Sequence, residues 1–146
     1  MPSQRLLKIL DPLGHAREPV PGGTLTAVVW APAPALATVL RNRLTAAQIH
    51  PLMATAFRHV ASSLMPGARP QADLVVLDLD ATSLDDLSTL ASMRWAGFTG
   101  PIIGINSSGQ VEPAMRELYQ LEAVLPRRRL STALHELLAR LPRRGT

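Results

Sequence analysis

Two patterns of apolar positions alternate along this chain. One is a short, continuous run rich in Val, Leu and Ile; the other spaces its apolar residues three or four apart. LTAVVWA (25–31) is a run of the first kind, closed by Pro32 and Pro34, and predicts a buried strand. PALATVLRNRLTAAQI (34–49) follows, with Leu36, Val39, Leu40 and Leu44 on one helical face and Arg41 and Arg43 off it. PLMATAF (51–57) reads as a strand, and RHVASSLM (58–65) as a short helix ended by Pro66 and Gly67. ADLVVLDL (72–79) is the strongest strand signal, with an acid at its C-terminal end. Ser83 then caps a helix whose first turn holds Asp85 and Asp86, at the positive end of the helix dipole. That helix runs through Leu87, Leu90, Ala91 and Trp95 to a stop at Gly97. PIIGI (101–105) is a strand, and VEPAMRELYQL (111–121) a helix with Pro113 in its first turn. EAVLP (122–126) is a short strand, and Ser131 caps a last helix, TALHELLARL.

Strand and helix therefore alternate five times in about 120 residues, which implies a parallel sheet covered by helices on both faces. The expected fold is α/β: a doubly wound, flavodoxin-like five-stranded sheet with strand order 2-1-3-4-5. Before it, Leu6, Leu7, Ile9 and Leu10 form a short apolar cluster that suits docking, followed by a loop rich in Pro and Gly. The expected organisation is an N-terminal extension and loop (1–23), one domain (24–141) and a basic tail (142–146).

Composition narrows the function classes. The 146 residues include no cysteine, which removes disulfides, thiolate catalysis and cysteine-bound metal, and fits the cytoplasm. There is no long apolar run to span a membrane, and the N-terminus lacks the apolar core of a secretory signal. Net charge is +4, and all but one of the 15 basic residues are arginine. No acid lies between Pro19 and Ala72; five of the 11 acids then crowd into Asp73, Asp78, Asp80, Asp85 and Asp86. The arginines are read first as a solvated face, with nucleic-acid binding as the alternative. Aromatic residues are too few for a single-strand stacking platform. His15, His50, His59 and His135 never pair at helical spacing, so no histidine metal site is expected. No Walker loop, G-x-G-x-x-G or G-x-S-x-G is present, and no enzyme activity or cofactor is expected.

The segment ADLVVLDLDATSLDDLSTLASMRWAGFTGPIIGINSS (72–108) resembles the middle of a bacterial response-regulator receiver domain. AVLPRRRLSTALHELLARL (123–141) resembles that family's fifth strand and last helix, and VVWAPAPAL its first strand and turn in outline. The resemblance places Asp78 at the phospho-accepting aspartate. It places Ala31 and Pro32 where receivers carry the acid pair that holds Mg²⁺, and neither side chain can ligate a hard cation. Asn106 falls at the hydroxyl position on the fourth strand, beside Ser107. Val124 falls at the switching aromatic, Arg127 at the lysine, Arg128 at the proline after it, and Thr82 at the loop proline. Phosphoryl transfer to a carboxylate relies on a metal to neutralise charge on the transferring oxygens.

The resemblance thus implies a degenerate receiver, or pseudo-receiver, that signals by protein–protein contact without phosphorylation. Arg127 is expected to pair with Asp78 as a fixed clamp. The partner is another protein or a second copy, through the fourth helix, fifth strand and fifth helix, where Glu112, Glu117, Glu122 and Glu136 mix with arginines. No helix-turn-helix follows residue 141, so an output domain, if one exists, is expected outside these 146 residues. The alternatives are a working receiver using Asp78, an arginine-based nucleic-acid module, and a small flavodoxin-like enzyme.

Overall fold

The computed structural model describes residues 24–141. Five strands form one parallel sheet: β1 (Thr26–Trp30), β2 (His50–Met53), β3 (Leu74–Asp78), β4 (Ile102–Asn106) and β5 (Ala123–Pro126). Their order is β2-β1-β3-β4-β5, and every neighbouring pair runs parallel. The helices are α1 (Pro34–Ala46), α2 (Phe57–Leu64), α3 (Leu84–Trp95), α4 (Pro113–Tyr119) and α5 (Leu130–Arg140). The expected doubly wound α/β topology is the observed one. The apolar cluster at Leu6–Leu10 and the basic tail lie outside the described residues.

Strand alternation sorts the core into two layers. Ala27, Val29, Leu74, Val76, Ile103 and Ile105 face one side, where they meet Leu36, Leu40 and Leu44 of α1 and Leu130, Leu134, Leu137 and Leu138 of α5. Val28, Val75, Leu77 and Ile102 face the other, against Phe57, Val60 and Leu64 of α2 and Leu90 of α3. Both faces of the three central strands are therefore dry, which is why these strands read as unbroken apolar runs.

Several local expectations change. Val39 is 37% exposed, because Leu36, Leu40 and Leu44 alone complete the buried stripe of α1. β2 stops at Met53, and Phe57 opens α2 as a core residue. Trp95 ends α3 pointing to solvent, 95% exposed. Ser131 does not cap the last helix. That helix begins two residues earlier, at Leu130, with Arg129 at its N-cap position and no side-chain cap. Ser131 Oγ instead accepts a hydrogen bond from Arg43 Nε at 2.6 Å and ties α5 to α1. Ser83, in contrast, makes a full capping box: its hydroxyl accepts from Asp86 N, and Asp86 Oδ2 accepts from Ser83 N.

One tie was not visible in the sequence. Arg94, in the last turn of α3, donates to four carbonyls: Nε to Tyr119 (3.2 Å), Nη1 to Phe98 (3.1 Å) and Gly100 (2.7 Å), and Nη2 to Gln120 (2.8 Å). Its guanidinium also lies 5.4 Å from the Phe98 ring centroid. Burial lowers the Arg94 pKa, which a nearby Glu122 partly offsets, and the group stays charged at any physiological pH. The C-terminus of α4 also closes through its own backbone: Gln120 sits in the left-handed region at φ 53°, and Leu121 N donates to the Arg116 carbonyl at 2.9 Å.

Candidate functional site

The C-terminal tips of the strands are where a doubly wound sheet places its chemistry. At the tip of β3, Asp78 is the last strand residue and is 3% exposed. The chain then tightens into a single 3₁₀ turn, Leu79–Ala81. Asp78 caps this turn itself, with Oδ1 accepting from Asp80 N at 3.1 Å. Thr82 Oγ1 donates back to the Asp78 carbonyl at 2.7 Å. The turn lies over β4 because residue 104 is glycine. A Cβ there would stand 2.5 Å from Leu79 Cδ1.

A second 3₁₀ turn, Arg127–Arg129, leaves β5 and faces the first across β4. Arg127 is long enough to bridge two strand spacings of about 4.8 Å each. Its Nη2 donates to Asp78 Oδ1 at 2.8 Å and to Asp80 Oδ2 at 3.2 Å. Ser107 Oγ adds a bond to Asp80 Oδ2 at 3.1 Å. The three side chains differ in solvation: Asp78 is 4% exposed, Arg127 39% and Asp80 44%. The buried carboxylate is thus neutralised by a cation held partly in water, an arrangement that spares the arginine most of its desolvation cost.

The other site positions are placed differently. Ala31 is buried just beyond β1, and Pro32 is exposed beside it. Trp30 spans from β1 to the turn after Asp78, donating Nε1–H to the Ala81 carbonyl at 3.3 Å. Its ring meets Phe57 edge-on, with centroids 5.9 Å apart. Asn106 is committed to its own loop. Oδ1 accepts from Gly109 N at 2.6 Å, and Nδ2 donates to the Gln110 carbonyl at 2.8 Å. Gly109 permits that loop with φ 78°. Val124 is half-buried and packs in the apolar layer under α2 and α3. The structure therefore brings together Asp78, Arg127, Asp80 and Ser107, and leaves Asn106 and Val124 in separate roles.

The receiver resemblance implies a divalent cation here, and the residues present do not fit one. A hard cation takes several oxygen ligands, usually two or more carboxylates with free lone pairs. Positions 31 and 32 supply a methyl group and a proline ring. The two nearby acids, Asp78 and Asp80, already share the Arg127 nitrogen. Among the described residues, no group of three or more His, Asp or Glu is clustered for metal binding. What the cluster does provide is a charge-assisted link between the turn after β3 and the turn before α5.

Comparison with known proteins agrees at the level of fold. No family model and no curated protein matches the sequence. Among solved structures, the chemotaxis protein CheY4 of Vibrio cholerae superposes with TM-score 0.66 at 13% identity, over 82% of this chain and 99% of that one. A CheY-like receiver domain from Methylobacillus flagellatus gives 0.62 at 15% identity, over 80% and 97%. The response regulator RPA3017 of R. palustris, described in red light signalling, gives 0.63 at 16% identity, over 84% and 99%. The five-stranded domain of this chain has the fold of the CheY-like response-regulator receivers.

Proposed function

We propose that this chain is a receiver-fold signalling module that acts by phosphorylation-independent protein–protein contact, as a pseudo-receiver. The observation that carries the reading is the position of Arg127 Nη2, between Asp78 Oδ1 and Asp80 Oδ2. A positive charge is already paired with the carboxylate that phosphoryl chemistry would need free, and it comes from the turn that leads into α5. The turn is therefore held in one arrangement by the resting chain. Ala31 and Pro32 reinforce the reading, since neither side chain offers the carboxylate oxygens that a divalent cation beside Asp78 would need.

The contact surface follows from what remains exposed. α4 presents Leu118 at 63% exposure, flanked by the exposed Glu112 and Glu117. Arg128, Arg129, Glu136 and Arg140 are exposed on the neighbouring turn and α5. A two-fold contact across α4, β5 and α5 sets the acids of one copy against the arginines of the other. Such a module suits an adaptor, or the regulatory part of a two-component or transcription regulator.

The test is intact-mass measurement after incubation with a small-molecule phosphodonor and Mg²⁺. The expected result is no phosphoryl adduct. An adduct on the wild-type chain that Asp78→Asn removes would instead establish a phospho-accepting receiver.

A further inference from the structure

The three most exposed large apolar side chains among the described residues stand on two neighbouring helices: Leu84 (81%) and Trp95 (95%) on α3, and Leu118 on α4. With 3.6 residues per turn, Leu84, Ser88, Ala91 and Trp95 fall within about 60° of one another around α3 and run about 16 Å along it. The buried face of the helix lies elsewhere, at Leu87 and Leu90. Met93 lines a cleft with Leu64 and Met65 at the end of α2, which marks the α2 side of α3. Trp95 is about 160° around the helix from Met93, so the stripe turns away from α2. On that side comes α4, since Arg94 holds the carbonyls of Tyr119 and Gln120. Leu118, one residue before Tyr119, borders the same seam. Single exposed apolar side chains are ordinary; three gathered along one seam mark a contact surface, and an exposed Trp is the commonest anchor of one.

The charges beside the stripe select the partner. Arg94 spends its guanidinium on four carbonyls, and Arg116 donates to those of Leu121 and Glu122. Asp85, next to Leu84, and Glu117, next to Leu118, are exposed, and no ion pair within the described residues engages either. The charge left to an incoming molecule is therefore negative here, on a chain whose net charge is +4. A cationic surface is attracted to it, whereas nucleic acid, an acidic protein or an anionic membrane is repelled.

We propose that the seam between α3 and α4 docks a basic amphipathic helix of a partner protein. Apolar side chains at helical spacing cover Leu84, Ala91 and Trp95, and Lys or Arg on the flanks of that helix meet Asp85 and Glu117. The proposal rests on the protein-contact reading of the domain and names the class of partner. The two fail separately: a phosphoryl adduct on Asp78 ends the phosphorylation-independent reading, and binding at the seam is decided without phosphodonor.

The test is amide and indole NMR of the full isotope-labelled chain, titrated with a synthetic helix of about 16 residues that carries Leu at i, i+4, i+7 and i+11 and Lys on both flanks. Saturable shifts are expected at the Trp95 indole and the amides of Leu84 and Ala91, with a Kd tighter than about 100 µM. Trp95→Glu and Leu84→Glu are each expected to weaken binding about tenfold or more while the unfolding temperature stays unchanged, because both side chains are exposed. The same peptide with Glu in place of Lys is expected to leave the spectrum unshifted. Absent shifts at the seam, shifts centred on another surface, equal binding by the two variants or equal binding of the Glu peptide overturn the proposal. So do shifts of the same signals with protein concentration alone, which assign the seam to a second copy.

Discussion

Arg127 Nη2 lies 2.8 Å from Asp78 Oδ1, and the two partners meet water very differently, at 39% and 4% exposure. Asp78 depends on the pair far more than Arg127 does. Without the guanidinium, that oxygen of a nearly buried carboxylate keeps the Asp80 N–H as its hydrogen-bond donor.

Arg127→Ala is therefore expected to destabilise the domain by about 1–3 kcal/mol, below the range for a fully buried pair because solvent reaches the arginine. Asp78→Asn keeps an oxygen for Asp80 N and is expected to cost less. In the double variant no carboxylate at position 78 is left unpaired, so the two losses should fall short of additivity by about 1–2 kcal/mol. Denaturant unfolding of the four chains measures this cycle. Full additivity would mean that the contact contributes nothing.

Arg94 is expected to be a larger stability determinant than any residue at the strand tips. Its four bonds tie α3 to the loop before β4 and to the carbonyls that end α4. Lysine has no fork to reach these carbonyls together. Arg94→Lys is expected to lose about 2–4 kcal/mol, since hydrogen bonds from a charged donor are worth more than neutral ones. Thermal unfolding reads the loss, and amide exchange should quicken first at residues 117–122.

Gly104→Ala tests how the site is seated. The added methyl group meets Leu79, whose side chain must move from its place over β4. A cost of about 1–2 kcal/mol is expected from overpacking. Because Leu79 follows Asp78 directly, the 3₁₀ turn should shift with it. Amide chemical shifts of Asp80 and Arg127 are expected to change in this variant, whereas a substitution confined to packing would leave them in place.

Self-association through α4, β5 and α5 predicts a dimer in sedimentation at about 100 µM, where a micromolar Kd gives mostly dimer. Leu118→Asp should return it to a monomer with unchanged unfolding temperature, because Leu118 is exposed in the single chain. Charge reversal at Arg128 and Arg129 should weaken the dimer, and added salt should do the same.

The alternation of apolar runs with helical spacing made the topology legible, because dry central strands and one-faced helices leave different traces in a sequence. Asp78 was legible for the same reason: it is the first polar residue after an unbroken strand. The capping box at Ser83 could be read because all its atoms lie within four residues. Ser131 shows the limit of local signals. A hydroxyl at a helix start predicts a cap, yet Arg43, 88 positions away, takes the hydroxyl as acceptor. Asn106 turned into its own loop because Gly109 adopts positive φ, and Arg94 found four carbonyls up to 26 positions away. Contacts of that range depend on the assembled sheet and leave no periodic trace. Asp80 and Ser107 joined the site through the 3₁₀ turn, a geometry that a strand-based reading of residues 72–79 does not contain.

The central claim is that Arg127 holds Asp78 in the resting chain and leaves no site for phosphoryl chemistry. Titration of the isotope-labelled protein with Mg²⁺ and beryllofluoride, followed by amide NMR, addresses it most directly. The account predicts spectra that stay superimposable around residues 78–82, 106–108 and 127–129 throughout the titration. Saturable shifts centred on Asp78, absent in Asp78→Asn, would contradict it.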